Sequence, residues 1–154
     1  MSVLVAGLIT SLAIAESPVM GSIEAVKVVV GDSGKEVYLP ADEARPQDVI
    51  EYRLKYANHG DQAVSKLSIT DPVPVGARYV AKTAQSPKSA SVLFSVDGAK
   101  TFHKWPVRVK QTDAKGRDVW VDATTDMITH IRWTLSSDLA PADEIAFSYR
   151  AEVK

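Results

Sequence analysis

The 154-residue chain reads as all-β, and three features of the sequence say so. Apolar and polar residues alternate with a period of two in several short stretches. Clusters of Gly, Pro, Asn and Asp separate those stretches, and no window sustains a helical period. About nine short strands, mostly with one apolar face each, are buried most simply by two antiparallel sheets packed face to face. The expected architecture is therefore an antiparallel β-sandwich, with a small closed barrel as the other arrangement that fits the pattern.

Taken in order, Ile23 to Val30 is rich in β-branched residues and stops at Gly31-Asp32-Ser33-Gly34. Glu36 to Leu39 is a short strand closed by Pro40, and Ala41 to Gln47 is a polar loop. In Val49 to Tyr56, the apolar Tyr52, Leu54 and Tyr56 alternate with Arg53 and Lys55, and Asn58 to Asp61 carry the chemistry of a turn. Val64 to Thr70 folds back with Leu67 and Ile69 inward and Ser68 and Thr70 outward. Asp71-Pro72-Val73-Pro74 is expected to leave the sheet, since two prolines donate no ladder hydrogen bond, and Tyr79-Val80 resumes a strand. Ser91 to Val96 runs into the turn signal Asp97-Gly98, and Trp105 to Lys110 and Arg117 to Val121 flank a second turn at Thr112 to Gly116. Ile131, Trp133 and Leu135 alternate with Arg132 and Thr134. The closing stretch sets Ile145, Phe147, Tyr149, Ala151 and Val153 against Ser148, Arg150 and Glu152, the cleanest alternation in the chain.

With 45% hydrophobic residues the chain supports one globular domain over residues 16–154. Its 18 basic and 19 acidic residues nearly cancel, so no net field holds it on nucleic acid or on an acidic lipid surface. The absence of cysteine excludes disulfides, thiolate nucleophiles and sulfur-ligated metals together. Residues 1–15 stand apart: Val3 to Ala15 is an uncharged apolar run ending in Ala13-Ile14-Ala15, the shape of a secretory signal, although no Lys or Arg precedes it. It is short for a membrane span, which needs about 20 apolar residues, so no stable span is expected. The implied location is extracellular, at the cell surface or in the periplasm. Retention of residues 1–15 as an assembly strand is the other reading.

No reaction chemistry emerges. His59, His103 and His130 lack the spacing of a zinc site, and neither a Gly-x-Ser-x-Gly elbow nor a Gly-rich phosphate loop occurs. Asp42-Glu43 and Asp118, Asp122 and Asp126 match no calcium loop, and Lys55 points outward beside Arg53, where a buried side-chain crosslink cannot form. No catalytic, cofactor-binding or metal residue is assigned, and the chain is expected to be neither an enzyme nor a cofactor protein. Trp133 is in phase with core residues, whereas Trp105 and Trp120 lie on two arms of one hairpin as cross-strand partners. If both faced solvent, they and the polar loops from Lys110 to Arg117 would suit a glycan.

The run Tyr52-x-Leu54-x-Tyr56-x-Asn58-x-Gly60-Asp61, then Leu67-x-Ile69-Thr70-Asp71-x-Val73-Pro74-x-Gly76, then Tyr79-Val80 resembles the conserved-repeat domain of bacterial and archaeal surface proteins, the family called domain of unknown function eleven. Ser95-Val96-Asp97-Gly98-x-x-Thr101-Phe102, Thr129-His130-Ile131-Arg132-Trp133 and Leu139-Ala140-Pro141 are similar to exported bacterial members of that family. The resemblance spans Glu36 to the C-terminus. It implies an immunoglobulin-like module of cell-surface or secreted proteins, used as a spacer, adhesive or assembly unit, with no catalytic residues to carry over.

The same residues also have local structural roles. Asn58 and Gly60 suit the left-handed backbone of a turn, Asp61 and Asp71 bond nearby amides, and Pro74 with Gly76 sends the chain to the other sheet. The expected function is a non-enzymatic structural or interaction module, whose partners are further copies of itself or other surface proteins. Val3 to Ala15 or Ile23 to Val30 would add as a strand to a neighbour's sheet and so build a filament. The alternative is a secreted carbohydrate- or ligand-binding module.

Overall fold

A computed structural model describes residues 18–87 and 89–154. The leader-like run Val3 to Ala15 lies outside the described residues. In chain order the strands are β1 (Val19–Val30), β2 (Glu36–Pro40), β3 (Val49–Asn58), β4 (Ser68–Pro72), β5 (Ala77–Tyr79), β6 (Ala90–Ser95), β7 (Arg108–Thr112), β8 (Asp118–Asp122), β9 (His130–Leu135) and β10 (Glu144–Val153). One 3-10 turn, Thr125–Met127, precedes β9. A five-stranded sheet runs in the order β2-β1-β3-β10-β5, a three-stranded sheet in the order β4-β9-β6, and β7 and β8 form a separate hairpin. Every pairing is antiparallel, so the all-β, antiparallel expectation holds.

The period-two pattern decides what is buried. On β3, Ile50 and Leu54 face inward. Phe147, Tyr149 and Ala151 do so on β10, and Ile131, Trp133 and Leu135 on β9. The two sheets meet through aromatic rings: Trp133 lies 5.4 Å from Phe147 and 6.1 Å from Tyr149, and Phe94 on β6 lies 5.2 Å from Tyr79 on β5. Trp133 is fully buried, as its phase with Ile131 and Leu135 requires. Its Nε1 has no acceptor among the described residues, so the ring contributes by packing.

Several local details differ from the sequence reading. Asp71 and Pro72 belong to β4, where a sheet exit was expected, and Val64 makes only a bridge to Leu139. The register explains why Pro72 is tolerated. Leu67 bonds to Leu135 on β9 and Val73 to Thr129 just before it, so the alternate residues Ser68, Thr70 and Pro72 turn their backbone groups to the free edge, and no ladder bond is lost. Trp105 lies outside β7, so it does not face Trp120, whose partner is Lys110.

The turn after β3 is held differently too. Asn58 is buried; its side-chain amide donates to the carbonyls of Gln62 (2.8 Å) and Leu139 (2.9 Å), and its Oδ1 accepts from the Gly60 amide. This is the local bonding that had been expected of Asp61. Gly60 is not left-handed; it is needed because a Cβ there would sit 2.7 Å from Pro18. Left-handed backbone occurs instead at Lys66 and at Gly76.

One polar contact ties the layers inside the core. The hydroxyl of Tyr149 on β10 donates to the carboxylate of Asp71 on β4 at 2.8 Å and approaches the Pro72 carbonyl at 3.2 Å. Asp71 had been expected to bond nearby amides; its observed partner is 78 residues away in sequence. Burial pushes the Asp71 carboxyl above its ordinary 3.8, partly opposed by the Tyr149 hydrogen bond. Burial also pushes the Tyr149 phenol up, helped by the charge of Asp71.

For a raised carboxyl the folded state holds the proton more readily than the unfolded chain. The contribution of Asp71 to stability is therefore greatest at acid pH and falls as pH rises through its elevated value. Urea unfolding from pH 3 to 8 is expected to show the difference between Asp71→Asn and the natural chain shifting in favour of the variant as pH rises. Tyr149→Phe, which leaves a buried carboxylate without its donor, should cost about 1–3 kcal/mol at neutral pH.

Candidate interaction surface

The two layers are unequal in width. β6 lies over β5, β9 over β10, and β4 near β3 and β10, which leaves β1 and β2 beyond the margin of the small sheet. Register assigns the faces of this ribbon. Ile23 pairs with inward-facing Leu54, and Leu39 and Val37 pair with Lys27 and Val29, so these residues share the core-side face. Ile23 is nonetheless 56% exposed, and Val37 and Leu39 are 43% exposed each. Among the described residues, six of the eight large exposed apolar side chains lie on β1 or β2: Ile23, Val37 and Leu39 on the core-side face, and Met20, Val30 and Tyr38 on the opposite one. The three on the core-side face make the ribbon the candidate interaction surface among the described residues.

The ribbon also carries a free edge. At the hairpin the Gly31 amide donates to the Lys35 carbonyl (2.8 Å), which fixes the alternation. Val37 and Leu39 therefore bond back to β1, and Glu36 and Tyr38 turn their N–H and C=O groups outward. Pro40 ends this edge and has no N–H to offer. Ile23 to Val30 itself is seated in its own sheet, paired to β3 along its length as far as Val28 and to β2 from Val26 onward.

The solvent-side face is held by charge. Arg150 on β10 reaches both oxygens of Glu36 at 2.7 Å and one of Glu51 at 2.8 Å. Arg53 bonds Glu51 at 2.8 Å and lies 4.4 Å from the centre of the Tyr38 ring. The Arg150 hydrogen bonds hold the Glu36 carboxyl down at about 2. On the core-side face Lys27 is paired with Asp48 at 2.7 Å, and Asp42, Glu43 and Arg45 line a cleft beside it and Leu39. Gly21 lies under the Tyr56 ring, where a Cβ would collide with it. Alternation revealed the strands but not this network, because Glu36, Glu51 and Arg150 are far apart in sequence.

The remaining candidate residues do not converge. Trp105 is half-buried and packs edge-on against Phe94 (5.7 Å) and Tyr79 (6.3 Å), whereas Trp120 is 61% exposed on the β7–β8 hairpin. The two do not form one platform. A cleft of about 380 Å³ does lie beside Trp105, lined also by Tyr79, Phe94, Lys82 and Lys104.

His59 is exposed, His103 is within 3.2 Å of the Thr101 hydroxyl, and His130 is within 3.1 Å of the Thr129 hydroxyl. Asp118, Asp122 and Asp126 pair with Lys110, Arg108 and Lys154. Asp97 organises its own loop by accepting from Ser95, Lys100 and Thr101, and the Thr101 hydrogen bonds hold its carboxyl far below the usual range. Among the described residues no three His, Cys, Asp or Glu side chains gather as metal ligands, and no helix is long and apolar enough to cross a membrane.

Comparison with family models, with curated proteins and with solved structures finds no match.

Because the folded pKa of Glu36 is depressed from 4.5 to about 2, its share of stability is present above 4.5 and is lost as pH falls through that window. Carboxyl titration by NMR should place its midpoint near 2, and Arg150→Ala should return it toward 4.5.

Proposed function

We propose that this chain is a non-enzymatic structural and interaction module of the cell envelope, immunoglobulin-like in its sandwich. In this reading it is exported to the periplasm or cell surface and joins further copies of itself through β-strand addition into a filament. The observation that carries this reading is the β1–β2 ribbon, which presents apolar side chains and an unpaired strand edge together. The motif from Tyr52 to Val80, similar to surface-protein repeats, supports it, as does the shape of Val3 to Ala15. A strand added at β2 would pair with the outward groups of Glu36 and Tyr38 and cover Val37 and Leu39. Contacts of this head-to-tail kind extend into a filament wherever their rotation does not close a ring.

Light scattering and electron microscopy of the purified protein test the reading. Concentration-dependent assembly that is abolished by Val37→Glu with Leu39→Glu, two changes at partly exposed positions, is the expected result. A natural chain that stays monomeric at high concentration would overturn it.

A second reading, a carbohydrate-binding module, draws on the aromatic cleft beside Trp105. It requires that Lys82→Ala and Lys104→Ala weaken retention on an immobilised polysaccharide while leaving the melting temperature in place. Equal retention by variant and natural chains would exclude that cleft.

A further inference from the structure

We infer that the domain is built to transmit tension, with the force carried in shear by the ladders that β3 makes with β1 and β10. β1 starts opposite the end of β3, where Val19 pairs with Asn58, and β10 finishes opposite the start of β3, where Glu152 pairs with Val49. The described chain thus enters and leaves at opposite ends of one strand, about 30 Å apart at the usual rise per residue. Both neighbours run antiparallel to β3, so tension between entry and exit draws β1 one way and β10 the other, along the strand axis. Neither ladder can then open from an end.

To slide, β1 must break ten residue pairs together and β10 nine. Both ladders are braced by side chains. Lys27 reaches Asp48 (2.7 Å) across β1 and the start of β3. Tyr52 stacks on Tyr149 (5.1 Å), Tyr56 meets Phe147 edge-on (6.4 Å), and Arg150 holds Glu51 (2.8 Å) across β3 and β10. Past the exit, Val153 and Lys154 donate to the carbonyls of Asp48 and Gly76, which extends the grip to the last residue.

A module with this topology suits a thread under pull better than a soluble receptor. The inference rests on the ladder geometry alone and does not depend on the assembly reading, whose contact lies at the β2 edge.

Single-molecule force spectroscopy on the full chain tests it, and the absence of natural cysteine makes site-specific handles unambiguous. Met20→Cys with Lys154→Cys loads the ladders in shear. Met20→Cys with Glu144→Cys, two positions flanking Ala57 in the same row, peels them one pair at a time. Rupture force is expected to be at least about threefold higher with the first pair of handles, since ladder bonds share a shear load but fail singly when peeled.

Equal or lower force in the shear geometry would overturn the proposal. Ser22→Cys with Lys154→Cys, against Ser22→Cys with Ala146→Cys around Lys55, repeats the comparison should either Met20 variant melt early. Isolated molecules are pulled, so a chain that never assembles would sink the assembly reading and leave this result intact.

Discussion

Tyr149 is the residue on which both layers depend. Its ring stacks on Tyr52 within its own sheet and packs on Trp133 of the other, and its hydroxyl reaches the one carboxylate buried between them. A phenol can do all three because its body is apolar and its tip is polar. The price of the arrangement is a buried acid, whose carboxyl burial pushes up against the pull of the Tyr149 hydrogen bond. The core thus contains a carboxyl shifted up, opposite to the surface carboxylates Glu36, Asp48, Asp97 and Asp113, all of which are held low by hydrogen bonds. Acid weakens the surface network while relieving the interior.

β3 occupies an equally central place in the sheet. It joins the ribbon of β1 and β2 to the part of the fold that the small sheet covers, and residues on its two faces serve different ends. Leu54 and Ile50 belong to the buried side, and Glu51 and Arg53 organise the charges outside. The unequal widths of the two sheets then follow. Three strands cover three, and the remaining two keep apolar residues in contact with solvent.

Much of this was legible in the residues alone, because alternation is a local signal. The phases of β3, β9 and β10 matched the observed burial of Leu54, Trp133 and Tyr149, and the turns at Gly98 and Gly116 appeared where Asp-Gly and the Thr112 to Gly116 cluster placed them. What escaped was what only pairing creates. Pro72 sits inside β4 because its missing donor faces an edge, a fact that requires the register. Asp71 finds a partner 78 residues on, and Glu36 finds Arg150 at a separation of 114, neither of which any short window contains. Trp105 and Trp120 appeared to be a pair because the hairpin was assigned to start too early. The exposed face of β1 and β2 was hidden for the opposite reason: an apolar strand looks the same in sequence whether or not a second layer covers it.

The mismatch between five strands and three also sets the order in which the molecule comes apart. Amides of β2 have pairing on one side only and little cover above them, so small local openings suffice to expose them to solvent deuterium. Those at Leu54, Phe147 and Trp133 must wait for the whole core to loosen. The ribbon can therefore breathe while the centre of the domain keeps its registry, and hydrogen exchange would read that gradient strand by strand from β2 inward.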